Sequence, residues 1–162
     1  MKKVAVIMGS DSDLNQMQKC IDCLKELEIP FEAHIMSAHR TPERASEFSK
    51  NAKENGFGVI IAAAGMAAHL AGAMAANTVL PVVGIPLNAS PLNGMDALLS
   101  TVQMPPGLPV ACVSVDGARN AAILAAQILA LGDEVLYEKL LGLREDMKRS
   151  IAEKDKKLCE SL

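Results

Sequence analysis

Aromatic side chains are almost absent from this chain of 162 residues. It has no tryptophan, one tyrosine and three phenylalanines, although half of its residues are hydrophobic. The interior is therefore predicted to consist of alanine, valine, isoleucine, leucine and nine methionines. Small side chains allow helices and strands to approach closely, and a chain of this length can bury roughly two thirds of its unfolded surface in one domain.

Charge is missing from the middle of the chain. Between Gly56 and Val115 the only formally charged residue is Asp96, so we expect this segment to be buried on most sides. Glycine, proline and asparagine interrupt its apolar runs repeatedly, which argues against a membrane-spanning helix and a membrane partner.

Clusters of basic residues are also lacking. The net charge of −3 and the pI near 5.6 offer no electrostatic footprint for a nucleic acid. The apolar run after Met1 has only strand length, so it does not predict a signal peptide, and four cysteines then favour reduced thiols and a cytoplasmic location.

The CxxC pair of Cys20 and Cys23 lacks the partners that a functional thiol pair needs. It falls well inside a predicted helix, and neither a second CxxC nor a spaced histidine pair completes a metal site. We therefore predict buried structural thiols and no metal.

What the chain does contain is an alternation of strand-length and helix-length segments. Near-continuous apolar runs are typical of buried parallel strands, and apolar residues at spacings of three and four indicate helices between them. The predicted strands are residues 3–8, 31–36, 58–63, 79–85 and 109–115, and the predicted helices are residues 14–27, 42–55, 67–77, 93–102 and 118–131. This order predicts an α/β fold with a doubly wound, flavodoxin-like parallel sheet of five strands.

A last, highly charged helix is predicted at about residues 134–157, after a core of about residues 3–131. We expect residues 1–162 to form a single domain. The last helix has no sixth strand to cover, and it carries an apolar stripe that includes Leu140, Met147 and Ile151. It is therefore expected to pack on another subunit of a homo-oligomer.

Polar residues follow four of the predicted strands, where the ligands of open parallel sheets bind. The segments are GSDSD (9–13), SAHR (37–40), AGMAAHL (64–70) and NASPLNG (88–94). Ser10 and Ser12 open a helix and favour a phosphate, although one of these residues or Asp11 could equally cap the helix. Asp13 could accept sugar hydroxyls, or could simply complement the helix dipole.

Arg40 and His39 are the strongest candidates for chemistry. The guanidinium of Arg40 suits a phosphate or carboxylate, the alternative being a surface ion pair with Glu43. Histidine has an ordinary pKa of about 6.5, so His39 could both give and take a proton at neutral pH, or could merely precede a helix capped by Thr41. His69, in an uncharged stretch, is either a core residue or part of the site, and His34 within a strand is interpreted as structural.

Six segments occur in an order that resembles a known family. They are MGSDSD, SAHRTP, AGMAAHLAG, GIPLNAS, VQMPPGLPVA and NAAILAAQIL. Together they resemble class I N5-carboxyaminoimidazole ribonucleotide mutase, the PurE family of purine biosynthesis, over roughly residues 3–131. The resemblance implies an octamer and an isomerisation without cofactor or metal, in which the carbamate carboxylate moves to the neighbouring ring carbon.

The resemblance also implies residue roles. His39 would be the acid and base, with His69 beside it as a second catalytic residue. The small-molecule ribonucleotide substrate would be bound through its phosphate by Ser10, Ser12, Ser37 and Arg40 and through its ribose by Asp13. Gly65, His69 and Leu70 would line the wall over the imidazole and the transient carbon dioxide.

Four residues depart from the family pattern. Met66 and Ala71 replace the usual glycine and proline, and Ser114 and Asp116 replace glycine and alanine. The loops after the third and fifth strands are therefore expected to differ in detail. Arg40 argues against the related class II carboxylase, which usually has lysine there, but that enzyme and a non-catalytic ribonucleotide-binding module remain alternatives.

Overall fold

Five parallel strands form one sheet in the computed structural model, which describes residues 1–162. They are β1 (Lys3–Met8), β2 (Phe31–Ile35), β3 (Phe57–Gly65), β4 (Val82–Leu87) and β5 (Ala111–Cys112). Their order in the sheet is β2-β1-β3-β4-β5, and every neighbouring pair is parallel. This is the flavodoxin-like order, and it confirms the predicted doubly wound sheet.

Six α-helices connect and follow the strands. They are α1 (Leu14–Glu26), α2 (Pro42–Asn51), α3 (Leu70–Ala75), α4 (Met95–Val102), α5 (Ala118–Ala130) and α6 (Glu134–Ser161). A single 3₁₀ turn, Asp11–Asp13, precedes α1. None of the helices combines the length and the apolarity that crossing a membrane requires.

The core is divided by the sheet into two layers because side chains alternate along each strand. In β1, Val4 and Val6 pack with α1 and α5, whereas Ala5 and Ile7 belong to the layer beneath α2 and α3. The inner face of α5 is built from alanines that are fully buried, among them Ala121 and Ala125. Their small side chains bring α5 close to both the sheet and α1.

Most predicted elements differ in their bounds, as the fourth strand, the fifth strand and the third helix show. The fourth strand begins at Val82 and not at residue 79: the Leu80 N–H donates to Thr78 Oγ1, and Val79 is 93% exposed. The fifth strand has only two paired residues, although its apolar run has seven. The third helix begins at Leu70, three residues later than predicted.

The second half of α6 leaves the body of the protein. Every residue from Arg144 to Leu162 is exposed, while Leu136 near the start of the helix is fully buried against the core. The last predicted helix therefore exists and is four residues longer than expected, ending at Ser161.

Candidate active site

The polar loops meet at the carboxyl edge of the sheet, as the sequence predicts. β1 lies between β2 and β3, and the connections from β1 and β3 lead to helices on opposite faces of the sheet. This arrangement is the topological switch point, where a crevice opens between the two loops. The segments after β1, β2 and β3 all begin at this edge.

The SAHRT bend is closed on itself by its first and last residues. The Ser37 N–H donates to Thr41 Oγ1 at 3.1 Å, and the Thr41 hydroxyl and N–H donate to the Ser37 carbonyl at 3.0 and 2.8 Å. The Arg40 N–H donates to Ser37 Oγ at 3.1 Å. Thr41 occupies the N-cap position of α2, as predicted, although its hydroxyl bonds within the bend and makes no capping hydrogen bond to the helix.

Arg40 joins the loop after β2 to the loop after β1. Its Nη2 donates to the Gly9 carbonyl at 2.8 Å, and Arg40 forms no ion pair with any carboxylate, including that of Glu43. The two loops enclose a cleft of about 380 Å³, lined by Gly9, Ser10, Asp11, Ile35, Ser37, Arg40 and Thr41. The cleft thus presents a guanidinium whose charge the chain itself does not neutralise.

The GSDSD loop is organised by its own side chains. Ser10 Oγ accepts from the Ser12 N–H at 3.4 Å, and the Asp13 carboxylate accepts from the Ser10 N–H at 3.1 Å, which together form a capping box. The interpretation of Ser10 as a cap is therefore confirmed. Burial raises the pKa of Asp13, because desolvation outweighs the hydrogen bonds that its carboxylate receives from the Ser10 backbone, the Ser12 side chain and the Gly9 backbone.

Asp11 competes for the donors of this loop. Its Oδ1 accepts from the Ser10 hydroxyl and from the Ser12 N–H, both at 3.1 Å. An anion that uses these two donors has to displace the Asp11 carboxylate. Because Asp11 is exposed, its side chain can turn into solvent.

His39 is exposed on the bend, and its ring makes no hydrogen bond within the chain. It is not among the residues that line the cleft. The imidazole therefore lies next to Arg40 in the sequence but outside the residues that line the cleft, and both of its nitrogens are free of hydrogen bonds within the chain.

His69 is held in place by α4. Its Nδ1 lies 2.5 Å from the Ser100 carbonyl oxygen, which can only accept, so Nδ1 carries a proton in this contact, and Nε2 makes no hydrogen bond within the chain. The ring covers Gly72, where a Cβ would lie 1.8 Å from His69 Nε2. Ser100 also donates its hydroxyl to the Ala68 carbonyl at 3.0 Å, which fixes the residue before His69.

The other two predicted wall residues lie on either side of His69 in the sequence. Gly65 ends β3, and a Cβ there would lie 2.4 Å from Ala89 Cβ, so only glycine permits this close approach of the two loops. The Leu70 side chain is buried in the core beneath α3. Leu70 as a whole is only 3% exposed, so the chain leaves little of this residue open to a ligand.

Three residues that organise the edge were missed by the sequence analysis. Gly9 contributes its carbonyl to Arg40, Ser100 contributes its carbonyl to His69, and Asp116 accepts from the Asn88 N–H at 3.0 Å. The two carbonyl contacts have no side-chain signal in the sequence. Asp116 did have a signal in the sequence, since an acid stands there in place of the alanine of the family pattern.

The cysteines and the remaining histidine lie elsewhere. Cys20 and Cys23 are fully buried in α1, and burial raises the pKa of both thiols, that of Cys20 to about 12. Their interpretation as buried structural thiols agrees with these positions. His34 packs edge-on against Phe48 and lies 3.4 Å from a Glu32 carboxylate oxygen.

Fold and site together define a flavodoxin-like α/β protein with a polar, arginine-containing cleft at the carboxyl edge of its sheet. The family model described as AIR carboxylase matches residues 3–150. The chain therefore belongs to the AIR carboxylase family.

Individual relatives agree with this family. The chain is 54% identical over 149 residues to the N5-carboxyaminoimidazole ribonucleotide mutase of Pyrococcus abyssi, covering 92% of this chain and 86% of the relative. It is 51% identical over 157 residues to the mutase of the same name in Bacillus subtilis, covering 96% and 97%. The crystal structure of Treponema denticola PurE superposes with a TM-score of 0.87 at 29% identity, covering 96% of this chain and 98% of the other.

Proposed function

We propose that this chain is an isomerase of purine biosynthesis that converts N5-carboxyaminoimidazole ribonucleotide to 4-carboxy-5-aminoimidazole ribonucleotide. The observation that carries the proposal is the Arg40 contact with Gly9, which joins the polar loops after β1 and β2 at the carboxyl edge of the sheet. Family membership and the name shared by relatives of about 50% identity support the reaction.

The substrate phosphate is assigned to the cleft between the loops after β1 and β2. Arg40 supplies a permanent positive charge there, and Ser37 keeps a hydroxyl proton to donate because its Oγ accepts from the Arg40 N–H. Ser10 and Ser12 complete the phosphate site once Asp11 turns away. Asp13, one residue further along the loop, is assigned to the ribose hydroxyls.

His39 is assigned as the acid and base. Its imidazolium protonates the carbamate nitrogen, the bond from that nitrogen to the carboxylate carbon breaks, and carbon dioxide is released into the pocket. The neighbouring ring carbon attacks carbon dioxide, and neutral His39 removes the proton from that carbon. The residue ends in its starting state, so no other proton donor, cofactor or metal is consumed.

Gly65, His69 and Leu70 are assigned to the wall over the imidazole. Glycine and alanine side chains leave no polar group on this wall apart from the His69 ring, which Ser100 holds through Nδ1. An apolar wall retains carbon dioxide between the two bond changes and keeps water out.

Substitution of His39 tests the mechanism. His39→Asn is expected to keep ribonucleotide binding and to lose turnover by at least about a thousandfold, since general acid and base catalysis contributes 10²–10⁴ per step. His34→Asn is the matched control, because His34 lies within β2 and contacts Glu32 and Phe48. Turnover in His39→Asn within tenfold of the parent rules out this role.

Substitution of Arg40 tests the phosphate site. Arg40→Ala is expected to weaken binding of the ribonucleotide by about tenfold to a hundredfold, because a charge-assisted contact is lost. Arg44→Ala, an exposed arginine without an ion pair on α2, is the control. Equal dissociation constants for the Arg40 variant and the parent, by titration calorimetry, contradict the assignment.

The description of the matching family favours one second candidate, a carboxylase that uses carbon dioxide and aminoimidazole ribonucleotide directly. Both reactions give the same product from different substrates. Conversion of the carbamate substrate without added bicarbonate is the expected result for the mutase, whereas strict dependence on bicarbonate with the uncarboxylated ribonucleotide identifies the carboxylase.

We further infer a cytoplasmic homo-oligomer, with eight subunits expected from the family resemblance. All four cysteines are free thiols, which supports a reducing compartment. The exposed half of α6 carries Met147, Ile151 and Leu158, each more than half exposed, and these apolar side chains support a contact between subunits.

A further inference from the structure

Asp116 connects the ends of β4 and β5 at the carboxyl edge of the sheet. Its N–H donates to the Pro86 carbonyl at 2.9 Å, and its Oδ1 accepts from the Asn88 N–H at 3.0 Å. The two bonds hold the chain on both sides of Leu87, the last residue of β4. Asp116 forms no ion pair, so its carboxylate is used for this backbone contact.

The carboxylate takes the place of a missing strand partner. β5 has only two residues, which pair with Val83 and Gly84, so the sheet offers no partner to the backbone that follows Leu87. A backbone N–H at such a position needs an acceptor or water. Asp116 supplies a charged acceptor, which makes a stronger hydrogen bond than a neutral one.

The residue after Asn88 closes over the predicted substrate wall. Ala89 Cβ lies 2.4 Å from the position that a Cβ on Gly65 would occupy. At the other end of the same loop, a Cβ on Gly94 would lie 2.5 Å from the Val115 side chain. The loop of residues 88–94 is thus fixed at both ends by the segment that contains Asp116.

The backbone of Asp116 explains why few residue types fit this position. Its φ is +57°, in the left-handed region that asparagine, aspartate and glycine adopt more readily than other residues. Alanine, the residue of the family pattern, has neither the acceptor nor this backbone preference. Asp116 therefore holds the loop of residues 88–94 by a hydrogen bond that an alanine at this position could not make.

We propose that Asp116 is a positioning residue that sets the distance between Ala89 and Gly65, and with it the width of the pocket that holds the imidazole ring. It acts through the Asn88 backbone and does not touch the substrate. This inference rests on the proposed function only for the identity of the ring.

Three variants separate the hydrogen bond from the backbone. Asp116→Gly keeps the left-handed conformation without strain and loses the acceptor, whereas Asp116→Asn keeps both the conformation and a carbonyl acceptor. Asn93→Gly is the matched control. Asn93 lies in the loop of residues 88–94, it has a positive φ of +51° like Asp116, and its side chain makes no hydrogen bond. All three are expected to melt within a few degrees of the parent.

The expected result is a split between the variants. In Asp116→Gly, kcat/KM for the carbamate substrate falls about tenfold and the Asn88 amide exchanges with solvent about tenfold faster. Asp116→Asn and Asn93→Gly remain within about threefold of the parent in both measurements. Recovery in the asparagine variant identifies the acceptor as the cause.

Two results overturn the proposal. One is kcat/KM of Asp116→Gly within twofold of the parent, and the other is unchanged exchange of the Asn88 amide. If the parent itself does not convert the substrate, the proposed function has failed, and amide exchange alone then decides whether Asp116 positions the loop.

Discussion

At Gly72 the absence of a side chain makes room for the His69 ring. The ring lies where a Cβ would be, and its Nδ1 is bound to the Ser100 carbonyl, so it cannot move aside without breaking that hydrogen bond. A glycine inside a short helix normally costs stability relative to alanine. Here the backbone has to be bare for the histidine to lie across it.

Gly72→Ala is therefore expected to displace His69. We expect a loss of about 1–3 kcal/mol in the free energy of unfolding, typical of overpacking, and at least a tenfold fall in kcat/KM. The control is Gly142→Ala on α6, where nothing lies within 4 Å of the added methyl group and where alanine is expected to stabilise the helix by about 0.5–1 kcal/mol. Parent-like activity in Gly72→Ala shows that the position of His69 does not matter.

The backbone of Met66 favours glycine over methionine. It has a φ of +56° and is more than half exposed at the tip of the loop after β3. Met66→Gly is expected to raise the thermal midpoint slightly or leave it unchanged, since the left-handed conformation costs a non-glycine residue about 1 kcal/mol. Differential scanning calorimetry of both proteins measures this, and a clear fall in the midpoint would show that the methionine side chain stabilises the loop.

The thiols give a test of burial at the same scale. Because burial raises the pKa of Cys20 to about 12, almost no thiolate exists at neutral pH, and the side chain is also inaccessible. Alkylation followed by mass spectrometry is expected to label exposed Cys159 within minutes and to label Cys20 and Cys23 only in denaturant. Rapid labelling of Cys20 in the native protein would mean that α1 opens readily.

At the scale of elements, α6 is fastened to the turn between α1 and β2 by one lysine. Lys139 Nζ donates to the Leu27 carbonyl at 3.3 Å and pairs with the Glu28 carboxylate. The hydrogen bond from Lys139 lowers the pKa of Glu28 below its ordinary value of 4.5. A lowered carboxyl pKa stabilises the fold at pH values above the ordinary pKa. This stability is lost as the pH falls through the lower, folded-state pKa.

Glu28→Gln should therefore be less stable than the parent at neutral pH, and the two proteins should converge as the pH falls below the ordinary range of a glutamate. The difference is expected to be small because the pair is exposed. Urea unfolding at a series of pH values measures it. A difference that stays constant or grows toward acid pH would show that the pair does not stabilise the fold.

Sequence patterns predicted the elements better than their ends. Apolar runs identified β1, β3 and β4 most directly, because strands buried on both faces have few alternatives in composition, whereas β2 and β5 at the edges of the sheet contain no buried residue. The runs did not show where pairing stops: Val79 and Val113 are as apolar as their neighbours but lie outside the ladder. Pairing depends on the partner strand, which the local sequence does not contain.

The candidate site divides in the same way. Its loops could be predicted because the carboxyl ends of parallel strands meet at one edge, and Arg40 and Ser37 indeed line one cleft. The acceptors of Arg40 and His69 are backbone carbonyls, which every residue has, so the sequence could not identify them. The roles of His39 and the other site residues stay predictions.

At the scale of the whole molecule, the exposed half of α6 is the feature that a single chain does not explain. Most helical stability in proteins comes from the packing of an apolar face, so packing on another subunit is the expected source of stability for this half of α6. The double substitution of Met147 and Ile151 by Glu is expected to lower the mass measured by light scattering, while α6 up to Leu143 keeps its contacts with α5. An unchanged mass would place the subunit contacts elsewhere.

The length of α6 beyond the core would also make the protein responsive to its own concentration if the proposed contact between subunits involves this part of the helix. Helical order in residues 145–161 would then be coupled to association, which follows mass action. Upon dilution the far end of the chain should melt before the sheet does, giving an early loss of helical circular dichroism that more concentrated samples lack. The concentration of the protein in the cell would then determine how much of residues 145–161 is helical.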